Sequence, residues 1–533
     1  MSDPTRADPM APSSNAARFS SLARKGVEAS LRIVGRAPEF AQAEELARRM
    51  TGVGLPPVSR SVLIISPRDW AVHVQFEAMI AHALRFHGVA VDVVTCLGGL
   101  PICDRVNTYE GPPSPCRTCG SYSRHAWRAH GFPIHDVAAG TEDEPRGLDE
   151  SSLDELEGLV VDGVPVGAVA RRTARWFLCS SALDTDPLAP PTIRALTKVA
   201  GRLARSTTTL FDQIRPDAVF MLNGKFLFES IAASIAEQRG IRVISYERGQ
   251  VHGSLFIADG PNAPDYDVSD LWGDASQRSL DLEQEQRLDA YLDSRRAGTI
   301  SYVDLWPETN RDVERARPHV VVFTNVTWDT AAHGANSAFE SMATWLDAVL
   351  RVAASYPAID FRIRIHPAEI RIERWRTREP AADLIARSTV PRPPNVEVIG
   401  PEDPLSSYDL IDNAVAGLVY TSTAGLELAL AGVPTVTAGG PHYAGKGFTV
   451  DASRAADFAG AVDRALSDPR EEVVDVELAR RYANLFFFDA PVPSPPVSEP
   501  LPGLARLGTT DPEHLKPGAH RGLDRICARI LGS

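Results

Sequence analysis

Short apolar runs closed by turn residues recur along the chain, separated by stretches with helical spacing. The first is SVLIISP (Ser61–Pro67); a helical pattern over Val72–Phe86 follows, then Gly88 and the run VAVDVVT (Val89–Thr95). Strand, helix, strand is the unit of a parallel sheet, because parallel neighbours need a crossover long enough to hold a helix. After an irregular region over 96–157, a helix from about Pro191 leads to DAVFMLNG (Asp217–Gly224). Another helix ends at Gly240, and IRVISYERG (Ile241–Gly249) reads as the next strand. A polar helical connector (Leu280–Arg296) precedes a second series: PHVVVFTN (Pro318–Asn325), a helix around Phe339–Tyr356, FRIRIHP (Phe361–Pro367), NVEVIG (Asn395–Gly400), AVAGLVYTS (Ala414–Ser422), a helix around Gly425–Leu430 and VPTVTAG (Val433–Gly439).

The alternation, run through twice, predicts an α/β protein of two doubly wound, Rossmann-like domains facing a central cleft. The expected boundaries are 61–300 for the first domain, with a Cys-rich insertion at 96–120, and 318–470 for the second. Residues 1–60 read as a disordered N-terminus and an amphipathic helix, and 471–533 as a Pro-rich strap (DAPVPSPPVSEPLPG) with a final helix. A chain of 533 residues is too long for one core, which agrees with this division. The net charge of −14 argues against a dedicated nucleic-acid binder. No apolar run reaches the length of a membrane span, and the first residues lack the apolar core of a secretory signal, so a cytoplasmic protein is expected. Arg18, Arg24, Lys25, Arg32 and Arg36 lie near Phe19, Leu22 and Val27. Such a helix either touches the inner face of a membrane or packs on its own domain.

In doubly wound sheets ligands bind beyond the carboxyl ends of the strands, so strand-end residues are the candidates for chemistry. YTSTAGLELALAGVPTVTAGGPHYAGKGFT (Tyr420–Thr449) places Ser422 and Thr423 at a strand end and Gly425 at the start of a helix. Backbone N–H groups there, with the two hydroxyls, would cradle a phosphate, and Glu427 would cap the helix or bond a ribose hydroxyl. The glycine-rich loop that follows adds His442 and Lys446. FRIRIHPAE puts His366 just past a strand that Pro367 ends; a histidine beside a diphosphate donates a hydrogen bond to it or protonates a leaving phosphate. FTNVTWDTAAHG sets Asn325 and Asp329 after the first strand of the second half; it lacks the GxGxxG spacing, so a mononucleotide suits it better than a dinucleotide. In the first half, Asp69 and Glu247 stand at strand ends and could act as a general base, or each could be paired with a neighbouring arginine.

Cys96, Cys103, Cys116 and Cys119 form a C-x6-C-x12-C-x2-C series. In a reducing compartment such clustering points to metal, and four thiolates match a structural zinc site, with an iron–sulfur cluster as the alternative and unliganded thiols as the third reading.

The His-Pro pair after a buried strand, followed by YTSTAGLELALAGVPTVTAGGPHYAGKGFT, resembles the capsule polysaccharide biosynthesis glycosyltransferases, a group that includes Kdo-transferring enzymes; FTNVTWD, YERG and the cysteine loop extend the likeness. The pair is also similar to the His-Pro motif of bacterial sialyltransferases. These resemblances imply the two-Rossmann-domain (GT-B) fold. They also imply His366, Pro367, Ser422 and Thr423 at the phosphate of a nucleotide-sugar donor such as a CMP-activated ulosonic acid. The acceptor, a growing surface polysaccharide or glycolipid, would then lie on the first domain. No DxD pair stands at a strand end, so no catalytic divalent ion is expected. A polyol-phosphate transferase, a nucleotide-sugar epimerase and a non-catalytic scaffold of an assembly complex are the alternatives on the same architecture.

Overall fold

The computed structural model describes residues 31, 35–109, 115–139, 148–298, 318–329, 337–371, 375–501 and 503–532. Two parallel sheets organise the chain. The first is built from β1 (Arg60–Ile65), β2 (Val89–Thr95), β3 (Ile134–Asp136), β4 (Ala218–Leu222), β5 (Arg242–Arg248) and β6 (Ser254–Asp259). The second contains β7 (His319–Phe323), β8 (Asp360–Arg364), β9 (Val396–Ile399), β10 (Ala414–Val419), β11 (Thr435–Thr437) and β12 (Val450–Asp451). Spatial orders are β3-β2-β1-β4-β5-β6 and β9-β8-β7-β10-β11-β12. Within the first sheet β3 to β5 are parallel and β6 joins antiparallel; the second is parallel throughout. In both, the order reverses beside the first strand, which is the doubly wound arrangement of two Rossmann-like domains.

Burial explains why these runs become central strands. Every residue of β4 and of β7 is buried, as expected of strands covered by helices on both faces. Helix α1 (Pro38–Met50) turns Phe40, Ala43, Leu46 and Met50 inward. They share the first domain's core with Leu523, Ile526 and Ile530 of the last helix, Arg521–Leu531. The described part of the N-terminal helix therefore packs on its own domain; the basic residues 18–25 and Arg32 lie outside the described residues. No helix among the described residues is long and apolar enough to cross a membrane.

The Pro-rich strap is more structured than its composition predicts. Val492–Pro493 forms β13 against β6, and β14 (Val497–Leu501) pairs with β15 (Leu504–Leu507). Proline is tolerated because each of these strands is an edge.

The two halves are clasped on two sides. Trp176 of the first half lies 5.4 Å from Trp328 and 4.6 Å from Trp375 of the second, measured between ring centres. Arg378 pairs with Asp186 at 2.6 Å beside them. On the other side Phe256, Val268 and Leu288 share a core with Leu426, Tyr443, Tyr482 and Phe486.

Candidate active site

Three adjacent strands of the second sheet, β10, β7 and β8, open at their carboxyl ends onto one cavity of about 510 Å³. The loop after β10 contributes Thr421, Ser422 and Thr423; Thr324, Asn325 and Asp329 follow β7; His366 and Pro367 follow β8. β7 and β10 flank the point where strand order reverses, the position at which the crossovers diverge and leave room for a ligand.

Cross-strand hydrogen bonds hold these residues in place. Asn325 Oδ1 accepts the Thr421 N–H at 3.1 Å, and Thr324 Oγ1 accepts the His366 N–H at 3.1 Å. His366 Nδ1 accepts the Ala368 N–H at 3.1 Å, which leaves the proton of the neutral ring on Nε2. Burial, reinforced by the charge of Arg364, pushes the His366 pKa down to about 4. The ring is therefore a neutral donor of fixed tautomer across the physiological range. Arg364 lines the same cavity with its guanidinium anchored on the Gly400 and Asp403 carbonyls, at 2.5 and 3.0 Å.

The facing wall comes from distant segments. Helix α2 (Leu282–Arg296) brings in Arg295, which binds Glu427 at 2.7 Å, and the Tyr408 hydroxyl donates to the same carboxylate at 3.2 Å. Arg295 is held above its ordinary pKa by Glu427 against the opposing effect of burial. Gln250, from the first half, and Ser407 complete this side. The sequence reading missed Arg295, Tyr408 and Gln250. Arg295 and Glu427 are 132 residues apart, and no local pattern links them.

Seven sequence candidates therefore line one cavity: Asn325, Asp329, His366, Pro367, Ser422, Thr423 and Glu427. Several others are placed differently. Gly425 is buried behind the wall, where an added Cβ would lie 2.0 Å from the Tyr443 hydroxyl. It serves close packing rather than ligand approach. The expected cradle of helix N–H groups is already used: the Ala424 N–H bonds Ser422 Oγ, that of Gly425 the Ser422 carbonyl and that of Leu426 the Thr423 carbonyl, at 3.3, 3.1 and 3.0 Å.

His442 and Lys446 do not line the cavity. His442 stacks on Phe486 at 4.0 Å and bonds the Tyr482 hydroxyl at 2.8 Å, while Lys446 donates to Ser269 at 2.9 Å. Both join the halves, because the glycine-rich loop folds back onto the helix carrying Tyr482 (Val476–Asn484) and not onto the cleft.

The two candidate bases have separate fates. Glu247, half-buried, accepts from Asn223 Nδ2 at 2.8 Å and from the Arg248 N–H at 3.0 Å. Burial pushes its carboxyl up, and the carboxylate of Asp329, on the cavity wall, adds to the effect. Asp69 is paired with Arg105 at 2.5 Å, and its backbone N–H donates to the Cys119 sulfur. It belongs to the cysteine loop and not to the cavity.

Cys96, Cys103, Cys116 and Cys119 line one small pocket with Leu100, Val106 and Phe228. The backbone N–H groups of Gly98 and Arg105 point at the sulfurs of Cys96 and Cys103. Burial pushes the Cys96 thiol up to about 12 and the Cys103 thiol to about 11. Among the described residues no group of three or more His, Cys, Asp or Glu is set to hold a metal ion. The zinc site expected from the spacing is not among such groups, while the four cysteines share the lining of one pocket.

Residues 278–475 match the family model described as capsule polysaccharide biosynthesis protein. That stretch of the chain is similar to the capsule polysaccharide biosynthesis family. It contains all seven cavity-lining candidates and Arg295. Among solved structures, the KpsC beta Kdo 2,4 transferase of Thermosulfurimonas dismutans aligns at 18% identity over 56% of this chain and 87% of its own, with a TM-score of 0.38. The beta Kdo 2,7 transferase of the same KpsC aligns at 17% over 62% and 89%, with a TM-score of 0.33. A UDP-GlcNAc 2-epimerase of Methanocaldococcus jannaschii aligns at 11% over 80% and 99%, with a TM-score of 0.26. No curated protein matches the chain.

Proposed function

We propose that this protein is a glycosyltransferase of capsule synthesis that moves a sugar, of the CMP-activated ulosonic acid class, from a nucleotide donor to a growing surface polysaccharide. The observation that carries the reading is the convergence of His366, Asn325, Ser422 and Thr423 on one cavity at the switch point of the second sheet. The donor phosphate lies against the Nε2–H of His366 and the two hydroxyls, which stabilise the charge that develops as the glycosidic bond to phosphate breaks. Arg295, neutralised in part by Glu427, supplies positive field on the opposite side. Glu247, with its raised pKa and its position near Asp329, takes the proton of the acceptor hydroxyl. These groups do the work for which other transferases use a divalent ion, so turnover is expected to survive a chelator.

The test is His366→Ala assayed for nucleotide binding and for transfer. Loss of both supports the reading; full retention of transfer would overturn it. An isomerised free donor in the product mixture would favour the epimerase alternative, and phosphate retained in the polymer the polyol-phosphate transferase.

For the cysteine pocket, the shared lining of one space by Cys96, Cys103, Cys116 and Cys119 supports a four-thiolate structural zinc site, with an iron–sulfur cluster as the alternative. Its place beside the first sheet makes it a brace for the loop. Zinc in anaerobically purified protein would support this assignment, iron with acid-labile sulfide would favour the alternative, and no bound metal would refute both.

A further inference from the structure

A second polar cavity, of about 460 Å³, lies in the first domain. One wall is the helix Val166–Leu178, which turns Arg171, Arg172 and Arg175 toward it; the other is the Gly224–Lys225 turn after β4, with Ser230, Pro261 and Asn262. Glu157 and Glu237 also border it.

The ion pairs around it are unevenly distributed. Arg171 pairs with Asp184 at 2.6 Å and with Glu157 at 3.4 Å. Lys225 is occupied by Asp265. Among the described residues Arg172 and Arg175 form no ion pair, and Arg172 has only the Ser230 hydroxyl, at 2.8 Å. Arg172 Nε, Arg175 Nε and Arg171 Nη1 are buried donors that find no hydrogen-bond partner among the described residues. Guanidinium groups withdrawn from water without a counter-ion are costly, and such a cost is normally met by pairing. Burial lowers the pKa of both arginines; the charge of Arg175 adds to this at Arg172, and that of Arg171 at Arg175, where the carboxylates of Glu157, Asp184 and Glu379 oppose it.

The cavity borders the proposed chemistry. Asn223 holds Glu247 through Nδ2 and accepts the Lys225 N–H at 3.0 Å through Oδ1. One short turn thus separates the proposed base from the arginines.

We propose that this cavity binds the phosphoryl group of an anionic acceptor, with Arg172 and Arg175 as its principal ligands. A planar guanidinium with free N–H groups matches phosphate oxygens in charge and geometry. The anion site stands on the unpaired arginines alone; the acceptor assignment rests on the transferase reading given above.

Inorganic phosphate is the probe, compared with chloride at equal ionic strength by thermal unfolding. It is applied to the wild type, to His366→Ala, and to His366→Ala combined with Arg172→Gln and Arg175→Gln. Phosphate should stabilise His366→Ala, because a ligand that binds only the native state raises its apparent stability. The added arginine substitutions should abolish that increment. In chloride the arginine variants should unfold no earlier than their parent, since two unpaired cations have been removed. No increment in His366→Ala, an increment that survives the arginine substitutions, or early unfolding in chloride would each overturn the anion site. In a transfer assay with a phosphorylated acceptor, Arg172→Gln should raise the acceptor KM by about tenfold and leave the donor KM unchanged. An unchanged acceptor KM beside confirmed phosphate binding would refute the acceptor assignment alone.

Discussion

The two domains share one topology but use their polar residues in opposite ways. In the second domain they stand at strand ends, tied by short backbone contacts and open to a cavity: Asn325 to Thr421, Thr324 to His366. In the first, many lie inside the packing. His82 and His130 bond each other at 3.2 Å, His130 also bonds Gln75 at 2.9 Å, and Arg68 is enclosed between Asp104 and Glu229 at 2.6 Å each. A buried, satisfied polar group specifies a fold; an exposed strand-end group of the same kind is available for a ligand. Residue type alone therefore says little about role.

Substitutions sharpen this contrast. The largest effect is expected for His366→Ala, about 10²- to 10³-fold in kcat/KM, the usual result of removing a preorganised donor at a site of developing charge. Steady-state transfer kinetics check it. Glu247→Gln should lower kcat by about 10²-fold with little change in donor KM, as loss of a general base does. Asp69→Asn, by contrast, should leave kcat within about twofold while lowering stability by roughly 1–3 kcal/mol, because Arg105 loses its partner. If the two substitutions behaved alike, the assignment of Glu247 to the cleft and Asp69 to the cysteine loop would fail.

A pH titration separates packing from chemistry. Burial pushes the His130 pKa down to about 3. The folded chain keeps this ring neutral, whereas the unfolded chain takes up a proton below its ordinary pKa of about 6.5. The contribution to stability is complete above that value and is lost as the pH falls toward 3. Glu77, pushed up to about 8 by burial, has the opposite sign, so the informative quantity is a difference. Between pH 6.5 and 5.5 the wild type should lose about 1 kcal/mol more than His130→Gln in urea unfolding. The smallest effect is expected at Lys446→Ala: donor affinity within about twofold of wild type, since its contact is Ser269 and not the cavity. A large loss of affinity there would return the glycine-rich loop to the site.

What could be read without coordinates follows from local physics. Each buried parallel strand is a contiguous apolar run, and the residue that ends it is identified by the turn or proline that stops it; hence β7, β8 and β10, and with them Asn325, His366 and Ser422, were legible. The edge strands of the strap were not, because Val492–Pro493 becomes a strand only when β6 offers it a partner. His442 and Lys446 were misplaced for a related reason: glycines announce a flexible turn but not the direction in which it folds.

The chain's periodicity determined on its own that there are two doubly wound sheets, and which residues stand at the carboxyl ends of their strands. Tertiary structure alone decided which of those residues meet. Arg295 reaches Glu427 from the connector, Asp69 is drawn to Arg105, and Arg172 pairs with no carboxylate among the described residues. Strand and helix patterns arise from neighbours a few residues apart, whereas charge pairing depends on three-dimensional distance, which the order of residues does not encode locally.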